Sequence, residues 1–314
     1  MAQDPAPSSG ILNDAQIHDL FAKGHLTSGK DLDSDQVQPA SLDLRLGKVA
    51  WRVRASFMPG KDALVQDKLD RFSLHQIDLT QGAVLETGCV YIVPLLENLD
   101  LPETISASAN PKSSTGRLDI FTRVMADRAQ QFDMVPAGYS GPLYLEISPR
   151  TFPIVARTGS RLSQIRFRVG NSILDRDSLL ALHKSETLVA AEEPNIDSRG
   201  IAMSIDLTGD DKGLVGYRGK RHTGVVDVDK KAACDVLDYW EPIYNRGSDD
   251  IVLDPDDVVY IGDLHLSERE SSKKKKKLQL VLKIKRNADR ARAAVRENYE
   301  AQAAVMKTRL LRRR

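Results

Sequence analysis

Ser41-Leu42-Asp43-Leu44-Arg45-Leu46 alternates polar and apolar side chains with a period of two. That period is typical of a β-strand that buries one face. Further short runs of the same kind follow, separated by turns containing Gly, Pro, Asn and Asp. They are residues 51–54, 90–93, 120–124, 143–147, 153–156 and 164–168. Short strands in this arrangement predict a mainly β fold, either a barrel or a jelly-roll-like sandwich, with short helices.

Two segments have a helical pattern instead. Residues 13–22 are predicted to form an amphipathic helix, capped by Asn13 or Asp14 and ending near Gly24. Its apolar residues Ile17 and Leu20 fall on one face. Residues 177–183 are predicted to add a helical turn or two.

Composition limits the class of protein. The chain has 314 residues, 41% of them hydrophobic and 28% charged, which suits a globular protein with a substantial core. No apolar run reaches the roughly 20 residues that a membrane helix needs, so no membrane partner is expected. Residues 1–10 are polar, without an apolar signal core, and are expected to be flexible. Cys89 and Cys234 make neither a disulfide framework nor a thiolate metal cluster, and we therefore expect a cytoplasmic protein.

The second half of the chain partly repeats the first. Ser204-Ile205-Asp206-Leu207 resembles residues 41–44, and residues 255–261 resemble residues 87–92 at a similar spacing. The repeat stops near Ser267, which predicts an incomplete second β domain. Chance similarity of short β patterns is the alternative.

The C-terminal residues differ in composition from the rest. Residues 271–314 contain 16 Lys or Arg and 3 Asp or Glu, although the whole chain has a net charge of only +1. From Leu278 onward, Gly and Pro are absent and apolar residues recur every three or four positions, which predicts a basic helix. The interpretations are a nucleic-acid-binding or anionic-surface arm, a solvated tail, or residues foreign to the domain. A nucleic-acid partner is expected, if at all, only through this tail.

Two features carry chemistry. Lys112-Ser113-Ser114-Thr115-Gly116-Arg117 has the composition of a loop that binds a polyphosphate, with hydroxyls between two cations. Glu146 lies inside the apolar run 142–147, where a carboxylate is costly to bury unless it has a partner or a function. Either feature alone is also common in solvated turns and on the exposed faces of strands. Together they predict an enzyme that acts on a nucleotide-like phosphate ester.

Six motifs in order resemble the dCTP deaminase branch of the dUTPase-like family. They are residues 12–17, 38–47, 112–118, 137–141, 143–146 and 159–164, so the resemblance covers about residues 11–168. The two-copy pattern resembles the tandem form of that deaminase. The domains predicted on this basis are residues 11–195, a partial second domain at 196–270 and the tail at 271–314.

The resemblance implies a homotrimer with active sites between subunits. It also implies hydrolysis of dCTP to dUTP and ammonia, which supplies dUTP for thymidylate synthesis, without zinc and with Mg²⁺ bound through the triphosphate. By the same resemblance, Glu146 is the general base and Arg117 lies beside the reaction centre. The implied substrate-binding residues are Lys112, Ser113, Ser114, Ala126, Asp133, Tyr139 and Gln164.

The chemistry of the residues agrees with this resemblance, because one positioned carboxylate can both accept and return the protons of a hydrolytic deamination. The zinc-dependent route needs H-x-E and P-C-x-x-C motifs, which the sequence lacks.

The sequence departs from the family pattern in two places. The family usually has Arg where this chain has Lys112, and Lys keeps the charge but loses the bidentate geometry. Pro136 occupies the position of the family's sugar-binding Asp, and the segment between Ala126 and Tyr139 is about six residues longer than usual, so Asp133 is the expected substitute. Two alternatives stay open: a dUTP diphosphatase or bifunctional enzyme, and a non-catalytic nucleotide-binding or assembly protein.

Overall fold

The structure is a computed structural model that describes residues 9–189, 194–202 and 210–245, together with the backbone of two later strands. The described residues form two compact units. Of these residues, the first unit contains 9–172 and 220–239, and the second contains 173–189, 194–202, 210–219 and 240–245 with the two later strands.

The first unit is mainly β, as the sequence predicts. Its strands are β1 (Gly10–Ile11), β2 (Leu26–Ser28), β3 (Val37–Gln38), β4 (Ser41–Arg45), β5 (Val49–Val53), β6 (Ser73–Asp78), β7 (Ala83–Leu85), β8 (Val90–Asp100), β9 (Ile105–Pro111), β10 (Ile120–Ala126), β11 (Met134–Val135), β12 (Ser140–Pro149), β13 (Ile154–Ala156), β14 (Arg161–Val169) and β18 (Val226–Asp227). Its helices are α1 (Asp14–Ala22), α2 (Val65–Phe72), α3 (Ser113–Arg117) and α5 (Val236–Tyr239).

Two six-stranded sheets dominate this unit. The first has the order β11-β9-β14-β4-β3, with β1 also paired to β14, and we call it sheet A. The second has the order β10-β12-β8-β5-β6, with β2 also paired to β8, and we call it sheet B. A third, smaller sheet has the order β18-β13-β7. The described strands form open sheets, so the barrel alternative is wrong for them and the sandwich-like alternative holds.

One apolar core lies between sheets A and B. Leu42 and Ile165 of sheet A belong to the same buried cluster as Val93 and Leu145 of sheet B. Along β4 and β12 every second residue points into this core, so the intervening residues point to the outer face of their sheet. Truncating one of these buried leucines to Ala is expected to cost about 2–5 kcal/mol.

The first helix forms for the predicted reason. Asn13 caps α1, since its side chain accepts a hydrogen bond from the Gln16 N–H, and the Gln16 side chain accepts one from the Asn13 N–H. Ile17 and Leu20 are buried in the core. The helix begins at Asp14, as the apolar spacing predicts.

The second unit contains α4 (Arg176–Ser185), β15 (Ile196–Asp197), β16 (Gly200–Ile201), β17 (Leu214–Gly219), β19 (Trp240–Tyr244), β20 (Val258–Ile261) and β21 (Leu280–Lys283). α4 confirms the helical segment predicted at 177–183 and extends it at both ends. Strands β19-β17-β20-β21 form one antiparallel sheet.

The predicted basic helix is wrong for one segment. β21 is a strand paired with β20, and its sequence Leu-Val-Leu-Lys, with one β-branched and two other apolar residues, suits a sheet. Residues 284–314, where the rest of that helix is predicted, lie outside the described residues. Residues 204–207 of the internal repeat also lie outside the described residues, whereas the strand predicted within 255–261 is present as β20.

Candidate active site

The predicted phosphate-binding segment is a short helix rather than a loop. α3 follows β9 of sheet A and precedes β10 of sheet B, so it joins the two sheets. Ser113 and Ser114, in its first turn, are exposed, whereas Thr115 is buried. The prediction of a loop is wrong because the Gly116 N–H closes a helical turn on the Lys112 carbonyl, at 3.0 Å. Both serine hydroxyls remain available to a ligand.

Lys112, just before α3, forms an ion pair that the sequence did not predict. Its ammonium donates to the carboxylate of Asp43, which is buried on the outer face of sheet A. The Lys112 side chain is 27% exposed and that of Asp43 only 2%. Arg161 approaches the same Asp43 oxygen at 3.8 Å. Asp43 therefore holds Lys112 beside the two exposed serines.

Arg117 is the last residue of α3 and is half-buried. Its Nε donates to the Ser113 carbonyl at 3.3 Å, so the guanidinium folds back along the helix. β10 begins at Ile120, three residues later, where it pairs with Pro149. Three residues further along this strand pair, Arg123 lies opposite Glu146. The start of β10, three residues beyond the end of α3, thus lies about 10 Å along the strand from the Glu146 row.

Glu146 is buried in the middle of β12, with 1% of its surface exposed. Arg123 donates to its Oε1 from Nε at 3.1 Å and from Nη2 at 2.7 Å. Ser56 donates to its Oε2 at 2.7 Å. Both carboxylate oxygens are therefore bonded, as a buried charge requires.

The face of sheet B that carries Glu146 is turned away from the main core. A second buried cluster covers this face and includes Ile92, Met125 and Tyr144 of the sheet. Val65 and Leu69 of α2 pack in the same cluster, as does Phe57 of the preceding segment. The chain between β5 and β6 thus forms a lid of apolar residues over the face on which Glu146 lies.

Gln164 lies on a different surface. It pairs with Asp43 on one side and with Asn110 on the other, in the middle of sheet A. Its neighbour Ile165 points into the shared core, so Gln164 points to the outer face of sheet A. Ser41 donates to its side-chain oxygen at 3.1 Å. Within one chain, Glu146 and Gln164 therefore point to opposite outer faces of the sandwich.

Asp133 links two strands through its backbone and its side chain. Its Oδ1 accepts a hydrogen bond from the Val124 N–H at 2.7 Å, and its own N–H donates to the Val124 carbonyl at 2.9 Å. Its carbonyl accepts from the Ala109 N–H at 2.8 Å, so Asp133 joins β10 to β9. Its φ of 62° is left-handed, a conformation that Asp adopts more readily than most residues. The expected sugar-binding role of Asp133 stays a prediction.

Tyr139 and Ala126 meet at the end of the β10–β12 pair. The Tyr139 hydroxyl donates to the Pro142 carbonyl at 2.6 Å and accepts from the Asp127 N–H at 3.1 Å. Burial raises the pKa of Tyr139 to about 12. Ala126 is buried, and its carbonyl accepts from the Ala129 N–H at 3.3 Å. Both residues support the turn after β10, and their predicted contacts with substrate stay predictions.

The structure thus distributes the predicted residues over several places. Lys112, Ser113, Ser114 and Arg117 gather on and beside α3, whereas Glu146 lies among Arg123, Ser56 and the apolar lid. Gln164 lies in sheet A, and the remaining three, Ala126, Asp133 and Tyr139, lie along or just after β10. Sequence reasoning missed Arg123, Ser56 and Asp43. The alternation of β10 could have placed Arg123 on an outer face, but its pairing with Glu146 depends on the strand register. Ser56 carries no local signal.

The described residues contain neither a cluster of metal-binding side chains nor a helix that could span a membrane. No three His, Cys, Asp or Glu side chains within 9–189, 194–202 and 210–245 are grouped so that they could hold a metal ion. In the same part of the chain, no helix has the length and apolar character needed to span a membrane.

Comparison with known proteins assigns the chain to a family. Residues 8–171 match the model of the 2'-deoxycytidine 5'-triphosphate deaminase N-terminal domain, and residues 175–270 match that of its C-terminal domain. The chain belongs to the dCTP deaminase family. The family assignment confirms the resemblance carried by the six motifs, and both matched segments lie before the basic tail.

This chain is similar to individual members of the dCTP deaminase family over different lengths. A crystal structure of 2'-deoxycytidine 5'-triphosphate deaminase from Agrobacterium tumefaciens is 66% identical with a TM-score of 0.78, covering 81% of this chain and 76% of that one. A dCTP deaminase of Halorubrum lacusprofundi is 32% identical over 160 residues, which are 50% of this chain and 76% of the relative. A dUMP-forming dCTP deaminase of a Sulfurihydrogenibium species is 28% identical over 160 residues, 50% of this chain and 82% of the relative.

Proposed function

We propose that this protein is a dCTP deaminase, an enzyme that hydrolyses the C4–amino bond of dCTP and releases dUTP and ammonia. The observation that carries the proposal is Glu146, a carboxylate buried in a strand of the family-matched domain and bonded at both oxygens. Such a group, buried at a cost and held in one orientation, has the features of a general base.

Glu146 would shuttle two protons. As water attacks C4 of the cytosine, the new C–O bond forms and the C4=N3 double bond opens. Glu146 takes one proton from the water and delivers it to N3. It then moves the remaining hydroxyl proton to the amino group, the C4–N bond breaks, and ammonia leaves as the C4 carbonyl forms. Both protons of the water are thus accounted for, one on N3 of dUTP and one on ammonia.

The residues around α3 would bind the triphosphate. Ser113 and Ser114 present two exposed hydroxyls, and Lys112 and Arg117 stand on either side of them as cations. Hydrogen bonds from hydroxyls and cations suit phosphate oxygens. Mg²⁺ would enter with the nucleotide and neutralise part of the phosphate charge, and we assign no protein ligand to it.

We further propose that the complete site forms between subunits of a homo-oligomer, a trimer by the family resemblance. The support for this step is the opposite orientation of Glu146 and Gln164 on the two outer faces of the sandwich. A nucleotide that contacts both residues would need one of them from a neighbouring copy.

Incubation of the purified protein with dCTP and Mg²⁺ tests the proposed function. We expect ammonia and dUTP in equal amounts. Ammonia with dUMP and pyrophosphate would favour the bifunctional alternative, which the dUMP-forming relatives motivate. A parallel incubation with dUTP separates diphosphatase activity from deamination. Binding of dCTP without any product would leave the non-catalytic alternative.

A further inference from the structure

We propose that Arg123 and Ser56 are positioning residues for Glu146, with Arg123 fixing Oε1 so that Oε2 is the oxygen that exchanges protons. This inference rests on the proposed function. It assigns roles to two residues outside the six sequence motifs.

The two oxygens of Glu146 are held differently. Oε1 receives two N–H groups of the same guanidinium, from Nε at 3.1 Å and from Nη2 at 2.7 Å. Oε2 receives only the hydroxyl of Ser56 among the hydrogen bonds described, at 2.7 Å. A guanidinium cannot give up its protons near neutral pH, whereas a serine hydroxyl can rotate and exchange its partner. Oε2 is therefore the oxygen that can turn to a water molecule without breaking the ion pair.

Arg123 is itself held in place before any substrate binds. Its guanidinium carbon lies 3.6 Å from the centre of the Phe132 ring and 4.9 Å from that of Phe121. Contacts of this kind between a guanidinium and aromatic faces are attractive. Phe132, which provides the nearer ring, belongs to the segment between Ala126 and Tyr139.

Ser56 bonds both Arg123 and Glu146. Its hydroxyl accepts a hydrogen bond from Arg123 Nη2 at 2.7 Å while it donates to Glu146 Oε2. The three side chains therefore form a ring in which each one contacts the other two. Ser56 directly precedes Phe57, whose side chain packs in the apolar lid, so this packing restricts the backbone that carries Ser56.

The register of sheet B sets the geometry of this ring. Arg123 and Glu146 are direct cross-strand partners on β10 and β12, with side chains on the same face. The Arg123 side chain is 24% exposed and that of Glu146 is 2% exposed. The carboxylate is therefore buried more deeply than the guanidinium that holds it.

Steady-state kinetics and dCTP binding, measured on full-length variants, test the assignment. We expect Arg123→Gln to lower kcat about 10- to 100-fold, because a misplaced base loses its alignment, with the Kd for dCTP changed less than threefold. Arg123→Lys, which keeps the charge but not the fork, should recover part of kcat. Ser56→Ala should lower kcat by about three- to tenfold.

Chemical rescue separates positioning from a general role in folding. We expect millimolar guanidinium to raise kcat of Arg123→Ala at least threefold and to leave Glu146→Gln inactive. Arg176→Gln, a matched change at an exposed residue of α4, should behave like the wild type with and without guanidinium. Thermal unfolding of each variant establishes that it is folded.

Three results with the variants would overturn the assignment, and one result with the wild type would overturn the proposed function as well. A folded Arg123→Gln with kcat within twofold of the wild type overturns the assignment, as does a loss of kcat that is matched by the loss of dCTP affinity. Failure of guanidinium to rescue Arg123→Ala overturns it as well. A wild-type protein that releases no ammonia from dCTP overturns the proposed function and this inference together, so the two failures are distinguishable.

Discussion

The ammonium of Lys112 pairs with the carboxylate of Asp43, a residue of the motif in which the β pattern is clearest. The pair joins β4 to the start of α3, the helix that carries the two exposed serines. The buried Asp43 therefore fixes the position of the Lys112 ammonium, which would otherwise move with its flexible side chain. Arg161, at 3.8 Å from the same carboxylate oxygen, adds a second cation.

Asp43→Asn should weaken both the fold and nucleotide binding. The amide leaves Lys112 without its charged partner, and we expect the free energy of unfolding to fall by about 2 kcal/mol. The KM for dCTP should rise severalfold because the ammonium is no longer held beside Ser113. Chemical denaturation and initial rates measure the two effects. Asp177→Asn on α4, an exposed acid, is the control, and an Asp43→Asn protein equal to it in both measurements would contradict the prediction.

Glu146→Gln should abolish deamination while dCTP still binds. The amide keeps the shape of the side chain and can still contact Arg123 and Ser56, but it cannot accept a proton from water. We expect kcat to fall at least about 100-fold, with the Kd for dCTP within a few-fold of the wild type. Ammonia release and calorimetric titration of dCTP measure the two quantities. Near-full turnover by this variant would remove Glu146 from the mechanism.

Arg117→Ala should impair binding and rate together. The guanidinium lies at the end of α3 and folds back towards the exposed serines. On the proposed function it contacts the phosphate and lies beside the reaction centre. We expect KM to rise and kcat to fall, each by about tenfold or more. Arg117→Lys should retain more of the binding than of the rate. An unchanged KM and kcat in Arg117→Ala would place this residue outside the site.

The sequence predicts those elements whose pattern is local. β4 alternates polar and apolar residues, and β12 contains an apolar run. α1 has both a capping residue and an apolar stripe. The sequence does not predict β9, because its Ala and Ser residues have weak strand propensity and become buried only when β9 pairs with β14 and β11 and packs in the core. α3 was predicted as a loop because Ser and Gly disfavour helices, a preference that the junction between the two sheets overrides.

The same distinction applies to the site. Glu146 was recognised because a carboxylate in an apolar run is locally unusual. Its partners are not recognisable in this way, because the Arg123 contact depends on strand register and the Ser56 contact joins residues 90 positions apart in the sequence. The opposite orientation of Glu146 and Gln164 likewise follows from which sheet each strand joins, and no short pattern encodes that.

Tyr139→Phe should separate a structural role of the hydroxyl from substrate binding. The change leaves the Asp127 N–H and the Pro142 carbonyl without that partner, so we expect the free energy of unfolding to fall by about 1–3 kcal/mol. The ring stays in place, and the KM for dCTP should change less than threefold. A large rise in KM without a loss of stability would favour a direct contact between the hydroxyl and the substrate.

The pH dependence of stability gives an independent check on Tyr139. Because burial raises its pKa to about 12, the folded protein retains the phenol proton that the unfolded chain loses near pH 10. The stability that Tyr139 contributes is therefore complete below pH 10 and is lost as the pH rises from 10 through 12. We expect the difference in unfolding free energy between the wild type and Tyr139→Phe to be constant from pH 7 to 9 and to shrink above pH 10. A difference that stays constant up to pH 12 would mean that folding does not raise the pKa of Tyr139.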